Sequence, residues 1–225
     1  MKEAATSPGR RMPMNLRVCE IFRSIQGEST RAGQPCSFVR LAGCDAGCTY
    51  CDTPQAQDPA AGRDMTVASV AAAVTDLGES LVEITGGEPL LQRDGVAALA
   101  ARLLDAGCTV MLETNGCHDV SPLDPRIEIV MDVKTPGSGV AKRLCRANLD
   151  VLDGNDEVKF VLTGREDYLW AREFVARTPQ LSRVRAIHFS PVWETLPAAA
   201  LAAWLRADGG AARLAVQLHK LLGVQ

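Results

Sequence analysis

The chain reads as an α/β protein built as an incomplete parallel β/α barrel of about six strands, open on one side, with an extension strand at its N-terminal end. Three observations lead there. Short apolar runs suited to strands alternate with helical runs of about ten residues, and such an alternation needs crossover connections and hence a parallel sheet. The strand runs deliver polar residues directly after their ends: TGGEP, ETNG, DVKTP, TGRE and SPVWE follow in turn, and parallel barrels build their sites at the C-terminal ends of their strands. A full eight-unit barrel takes about 250 residues, more than the 225 present. A doubly wound nucleotide-binding sheet is the competing architecture. No G-x-G-x-x-G opens a helix after the first strand, and Gly137-Ser138-Gly139 comes late for that role.

Taken in order, Arg17 to Phe22 and Cys36 to Leu41 are strand runs separated by the turn-rich segment SIQGESTRAGQP, which reads as an ordered functional loop. Thr66 caps a helix whose apolar positions Val67, Val70, Val74 and Leu77 recur at helical spacing and stop at Gly78. The alternation then runs strand Leu81 to Thr85, helix Val96 to Ala106, strands Thr109 to Thr114 and Ile127 to Val133, helix Val140 to Leu149 and strand Val158 to Leu162. Helix Tyr168 to Arg177, strand Ala186 to Phe189, helix Pro197 to Ala207 and a last strand Leu214 to Leu218 complete it.

Composition bounds the partners. A hydrophobic content of 47% supports one sizeable core, so residues 15–225 are expected to form a single domain. Residues 1–14, MKEAATSPGRRMPM, are polar and proline-containing and read as a flexible leader, not a targeting segment. A net charge of -3 offers no basic excess for nucleic acid. No run reaches the roughly 18 apolar residues of a membrane span. Small molecules or proteins are the expected partners, and the eight cysteines without a signal peptide place the chain in a reducing cytoplasm.

The chemistry concentrates in LAGCDAGCTYCDT, Leu41 to Thr53, where Cys44, Cys48 and Cys51 stand at C-x3-C-x2-C spacing. Soft thiolates select iron-sulfur clusters, zinc or Cu(I). Structural zinc usually takes four protein ligands, and no second pair follows here. Three cysteines on a four-iron cubane would leave the fourth iron open. A zinc site, or a plain role in the turn, remains the bland alternative for the residues alone. The other five cysteines, Cys19, Cys36, Cys108, Cys117 and Cys145, lie in mostly apolar surroundings and read as core. Cys117 comes closest to the candidate site.

With Tyr50 just before the last cysteine, this loop resembles the signature of the radical S-adenosylmethionine superfamily. The resemblance implies a 4Fe-4S cluster on Cys44, Cys48 and Cys51, whose open iron chelates S-adenosylmethionine, so that the radical arises on the cofactor and no protein side chain is the catalyst. Gly86, Gly87 and Glu88 resemble that superfamily's GGEP segment, which binds the methionine amino group; a tight βα turn is their bland reading. Tyr50, Glu113, Asp132, Lys134 and Ser190 are implied to face the cofactor, with Thr114, Asn115 and Gly116 at the mouth of the same strand. For each of these, a cap or a solvated side chain is the structural alternative.

The phrases EIF-x-SIQGE and FVRLAGC, ending in CDT, narrow the resemblance to the 7-carboxy-7-deazaguanine synthases, from about Leu16 to the end. That resemblance implies ring contraction of 6-carboxy-5,6,7,8-tetrahydropterin, by a carbon-nitrogen lyase, in queuosine and deazapurine biosynthesis. Mg2+ would sit at Thr53, whose oxygen suits a hard cation. Substrate would meet Ile25, Gln26, Gly27, Glu28, Arg40, Thr85, His219 and the terminal carboxylate of Gln225. A flavodoxin- or ferredoxin-type donor would supply the electron, and a homodimer is implied. Singly, Gln26 reads as a turn residue, Glu28 as solvated, and Arg40 as a surface ion pair. Two positions depart from the family pattern: Ser29 stands where QGEG has glycine, and DVKTP replaces a serine-containing form, which bears on Asp132. A glycyl-radical activating enzyme shares the cluster loop, and a non-enzymatic iron-sulfur or zinc redox sensor is the alternative of another class.

Overall fold

The structure, a computed structural model, describes residues 14–224; the leader expected over residues 1–14 and the substrate role expected of Gln225 fall outside them, Met14 excepted. Nine strands form one open sheet: β1 (Asn15–Ile25), β2 (Pro35–Leu41), β3 (Arg63–Thr66), β4 (Leu81–Gly86), β5 (Thr109–Thr114), β6 (Glu128–Asp132), β7 (Glu157–Leu162), β8 (Ala186–Pro191) and β9 (Ala212–Leu214). Their order is β3-β1-β2-β4-β5-β6-β7-β8-β9. From β2 to β9 every pairing is parallel, while β1 runs antiparallel to both β2 and β3. This is the expected partial barrel with its extension strand, and β9, only three residues long, stands near the expected last strand.

The helices are α1 (Val67–Leu77), α2 (Arg93–Asp105), α3 (Asn148–Val151), α4 (Arg165–Ala176) and α5 (Ala198–Asp208), which lie between strands, and α6 (Leu218–Leu222), which follows the last one. Thr66 caps α1 by accepting from Ser69 N, and Gly78 ends it in the left-handed region at φ 80. α2 lies so close to β1 that a Cβ on Gly95 would stand 2.6 Å from Leu16 Cδ2. α4 begins ahead of its apolar pattern because Glu166 and Asp167 suit the positive end of the helix.

Strand alternation divides the sheet into two faces. Val39, Val82, Ile84, Val110, Leu112, Ile129, Met131, Val158, Phe160, Ile187 and Phe189 are buried in the main core under the helices; full burial of each such side chain stabilises by about 1.5–3 kcal/mol. The residues between them face the concave side. Register sets Phe38 beside Glu83, Arg40 beside Thr85, Asp132 beside Lys159, and Lys159 beside His188. That side carries a smaller apolar cluster of Cys36, Phe38, Leu81, Met111 and Val130, and otherwise charged groups.

Three segments depart from the sequence reading. The helix expected over Val140 to Leu149 is a 3₁₀ turn, Ala141–Arg143, followed by the single turn α3. Its backbone is drawn elsewhere: Cys145 N donates to Gly116 O at 2.9 Å, and the Asn148 side chain binds Val120 N and His118 O. The strand expected over Leu214 to Leu218 stops at Leu214, because Leu218 N turns to Gly27 O at 3.0 Å and the chain continues as α6. β3, the polar segment RDMT, pairs Asn15–Val18 at the sheet edge and has no apolar alternation to reveal it.

Candidate active site

At the C-terminal ends of the parallel strands lies a cavity of about 910 Å³. All three motif cysteines reach it, from a loop that leaves β2 through Gly43 (φ 98) and turns again at Gly47 (φ 70). The loop is pinned on both sides. Gly43 N donates to Ala56 O at 2.8 Å, Cys44 N to Gln57 O at 3.0 Å, and Thr49 binds Ser138 O and Gly137 O. On its outer side Asp45 accepts from Arg143 at 2.6 Å and contacts His118 at 3.3 Å. Cys44, Cys48 and Cys51 are half-buried and free. Burial pushes the Cys48 thiol up, Lys134 opposes this, and Asp132, Cys44 and Cys51 add to the rise.

Gly86 and Gly87 line the cavity, and backbone crowding explains both. A Cβ on Gly86 would come within 2.2 Å of Leu41 O, and one on Gly87 within 2.2 Å of Gly43 O. The two glycines therefore let β4 press its end against the cysteine loop, which Glu88 N joins by donating to Gly43 O at 2.8 Å. The Glu88 side chain points away from the cavity, fully buried, and accepts from Leu90 N, Thr114 Oγ1 and Asn115 N at 2.9, 2.9 and 2.7 Å. It ties the GGEP turn to ETNG. Ser190 is 1% exposed on β8 and likewise stands off the cavity wall.

Glu113, Thr114, Asn115, Asp132, Lys134 and Tyr50 do line the cavity. Tyr50 donates to Val161 O at 3.2 Å, and Lys134 Nζ stands 2.7 Å from Asp132 Oδ2. Burial alone would favour a neutral Lys134, but the Asp132 carboxylate outweighs it and keeps the ammonium. Two buried atoms here have no partner: Asn115 Nδ2, a donor, and Asp132 Oδ1, an acceptor. Buried polar groups are rarely left so. Together they offer complementary contacts to a bound polar molecule.

The loop 26–34 crosses the concave face to the far strands. Thr30 N donates to Glu157 Oε2 at 3.0 Å, and Arg31 is bidentate to Glu128. Its first residues, with Ile25, line the cavity. Gln26 Oε1 accepts from Glu28 N at 2.6 Å and Ser29 N at 3.2 Å, and its Nε2 donates to Glu83 Oε2. Both ends of this amide are engaged by protein. Ser29, at the position of the family glycine, is 6% exposed, and its Oγ accepts from Arg31 N. Across the cavity, Arg40 Nε donates to Glu20 Oε1 at 2.6 Å, and its guanidinium stands 5.6 Å from the Phe22 ring, which stacks on Phe38 at 5.0 Å. Thr85 and Thr53 also line the wall, Thr53 Oγ1 donating to Asp52 Oδ1 at 3.0 Å.

The C-terminal segment closes one side. Gly27 is packed so tightly under His219 that a Cβ would lie 2.1 Å from its Nδ1. Gln217 Nε2 donates to Glu28 at 2.8 Å and to Asp52 at 3.0 Å, and Lys220 pairs with Asp52 at 2.9 Å.

Several cavity residues escaped the sequence reading. Lys159, 4% exposed, pairs with Glu28 at 2.7 Å and with Glu113. Glu83, 3% exposed, lies between Gln26 and Glu113. Asp52, Gln217 and Lys220 join them. A charged residue set singly in an apolar strand run, as in LVEIT and EVKFVL, was the available signal. Cys19, expected in the core, instead lines the cavity. Cys36 is buried, Cys108 packs on the core, and Cys117 is half-buried off the cavity, its thiol pushed up to about 11 by burial.

The sequence profile of the radical SAM superfamily matches residues 39–181. A 7-carboxy-7-deazaguanine synthase of Chlorobaculum tepidum is 42% identical over 92% of this chain and 94% of its own length. One of Methanospirillum hungatei is 39% identical over 93% of this chain and 86% of its own. In three dimensions the chain is similar to QueE from Escherichia coli, with a TM-score of 0.75, 23% identity, and 92% and 95% of the two chains covered. That last likeness speaks for the fold alone.

Proposed function

Because the chain belongs to the 7-carboxy-7-deazaguanine synthase family of the radical SAM superfamily, we propose that it converts 6-carboxy-5,6,7,8-tetrahydropterin to 7-carboxy-7-deazaguanine with loss of ammonia. The observation that carries this reading is one cavity that joins three half-buried free thiols to a set of buried, opposed polar and charged groups.

The residues fit the cofactors of such a reaction. Among the described residues no three His, Cys, Asp or Glu side chains converge tightly enough to hold a single metal ion. A four-iron cluster instead spreads its thiolates over separate irons, which suits three cysteines distributed along a loop. Cys44, Cys48 and Cys51 would hold it. Asn115 Nδ2 and Asp132 Oδ1, the two unpartnered atoms of the same cavity, supply a donor and an acceptor for S-adenosylmethionine beside the cluster. When bound, the cluster and S-adenosylmethionine supply one-electron chemistry that removes a hydrogen atom from C6 of the pterin.

This chain's own residues bind, orient and enclose. Arg40 offers a planar cation for the substrate carboxylate, steadied by Glu20 and the Phe22 face. Thr53 lends a hydroxyl oxygen to Mg2+, which takes few protein ligands and completes its shell with water and substrate oxygens. The stacked Phe22–Phe38 pair gives the flat ring an apolar wall. Residues 217–220, tied to Glu28 and Asp52, hold water away from a reactive intermediate. A flavodoxin- or ferredoxin-type protein delivers the electron, and two copies pair as a homodimer. No described helix is long and apolar enough to cross a membrane.

The test is anaerobic turnover of iron-loaded protein with reductant, S-adenosylmethionine, Mg2+ and the pterin, read by mass spectrometry. The reading requires the deazaguanine acid and one ammonia per product. Cofactor cleavage that leaves the pterin intact overturns it.

A further inference from the structure

The TGRE run that follows β7 contributes no residue to the cavity wall. Just beyond it, on the first turn of α4, Asp167 is 3% exposed. Its Oδ2 accepts from Thr163 N at 3.0 Å and from Thr163 Oγ1 at 2.7 Å, which braces the start of the helix. Its Oδ1 serves a segment thirty residues away, accepting from Gly137 N at 2.8 Å. Gly137 lies in the turn Pro136–Ser138, shortly after Lys134. A Cβ there would overlap both the Asp167 carboxylate and the Thr163 hydroxyl, so the turn sits flush against them.

The same turn grips the cysteine loop. Gly137 O accepts from Thr49 Oγ1 at 2.7 Å, and Ser138 O from Thr49 N at 3.1 Å. Thr49 stands between Cys48 and Cys51. Beside it, Val161 O accepts from Tyr50 Oη at 3.2 Å and from Thr135 Oγ1 at 3.0 Å. Residues 161–167 thus hold from behind both the segment that carries two thiols and the one that carries Lys134. The Cys44 end is secured separately, by Gly43 N and Cys44 N on Ala56 O and Gln57 O.

We propose that Asp167 is a positioning residue for the iron-sulfur cluster, fixing the Cys48–Cys51 half of the loop through Gly137 and Thr49. The inference rests on the assignment of a four-iron cluster to Cys44, Cys48 and Cys51 and deepens it. Groups behind metal ligands orient them, and the loss of one costs about 10–100-fold in metal affinity or activity. A carboxylate accepts at both oxygens and takes all three donors at once. Asparagine has one oxygen, so it must turn its NH2 toward either Thr163 or Gly137.

The test is the rate at which anaerobically reconstituted protein loses iron to a ferrous chelator, with the melting midpoint of the metal-free form recorded beside it. Thr49 is exposed, so Thr49→Val removes the last link without touching the core. It should lose iron about tenfold faster than wild type, with its melting midpoint unchanged, and Thr49→Ser should restore the wild-type rate. Asp167→Asn should lose iron at least as fast as Thr49→Val. The double variant should be no faster than Asp167→Asn alone, because both substitutions cut one chain of contacts. Thr163→Val removes a bond on the helix side only; it should lower the melting midpoint and leave iron loss within about twofold of wild type. If Asp167→Asn is too unstable to load, Gly137→Ala, which forces the turn off the same carboxylate, takes its place. Wild-type iron loss in Thr49→Val or Asp167→Asn overturns the assignment. So do effects that multiply in the double variant, and so does a Thr163→Val that loses iron as fast as Asp167→Asn, the result of a helix brace alone. A wild-type protein that takes up no four-iron cluster refutes the cluster reading itself.

Discussion

Replacing Lys159 by methionine keeps the length and apolar stem of the side chain and removes the one cation among the described residues that pairs with both Glu28 and Glu113. Lys159 Nζ lies 2.7 Å from Glu28, with its side chain 5% exposed and that of Glu28 15% exposed. Removing one partner of a buried ion pair costs about 3–5 kcal/mol, because the other charge stays buried and uncompensated. For a chain of this size each kcal/mol moves the melting midpoint by about 2–4 °C, so Lys159→Met should melt about 6–20 °C lower at pH 7. The pH dependence follows from Glu28. Burial alone would raise its carboxyl; Lys159 outweighs burial and holds it below the ordinary carboxylate range. In wild type that contribution is therefore present above the unfolded carboxyl value of about 4.3, and is lost as pH falls through the lower folded value. In the variant burial and the Asp52 charge are opposed only by the Gln217 amide, so the folded value should lie above the unfolded one and the penalty should be relieved on acidification. Urea unfolding of the metal-free protein at pH 8, 7 and 5 measures this. The deficit should be largest at pH 8 and shrink at pH 5. A variant within about 1 kcal/mol of wild type at pH 7, or a deficit that grows on acidification, refutes the reasoning.

Glu88→Ala orphans three donors in a fully buried position, Leu90 N, Thr114 Oγ1 and Asn115 N, and should cost about 2–4 kcal/mol in urea unfolding of the metal-free protein; a neutral result would mean that Glu88 does not brace the two turns. Gly27→Ala drives a methyl group into His219, so the C-terminal segment must shift, and the KM for the pterin should rise about tenfold, which steady-state kinetics reads directly. Cys48→Ala leaves two of the three loop thiols and should lose the iron and visible absorption of the reconstituted protein, measured by anaerobic iron and sulfide analysis.

Much of this molecule was legible in the sequence where the physics is local. Val67, Val70 and Val74 announce α1 by spacing, and Thr66 and Gly78 mark its ends. The strands β4 to β8 declare themselves as apolar runs because helices cover one face of each. What failed was decided by distant partners. Residues 140–149 carry an apolar pattern, yet Cys145 N and the Asn148 side chain are claimed by Gly116, His118 and Val120. Leu218 leaves the strand register because Gly27 O takes its N–H. In the site, Cys44, Cys48 and Cys51 form a motif that can be read directly. Lys159 and Glu83 do not, since each is a lone charge in an apolar run and acquires meaning only when strand register faces it with Glu28, Glu113 and Gln26. The glycines at 86 and 87 suggest close approach of a ligand, and the structure gives them a second reason in the approach of Leu41 O and Gly43 O.

The most direct test follows the hydrogen atom. Iron-loaded protein is incubated anaerobically with reductant, S-adenosylmethionine, Mg2+ and pterin substrate deuterated at C6. If this cavity brings the substrate C6 against the bound cofactor, deuterium appears in the adenosyl group of the recovered cofactor or its cleavage product, together with the deazaguanine acid. Cleavage of S-adenosylmethionine with the label still on intact pterin would contradict the account.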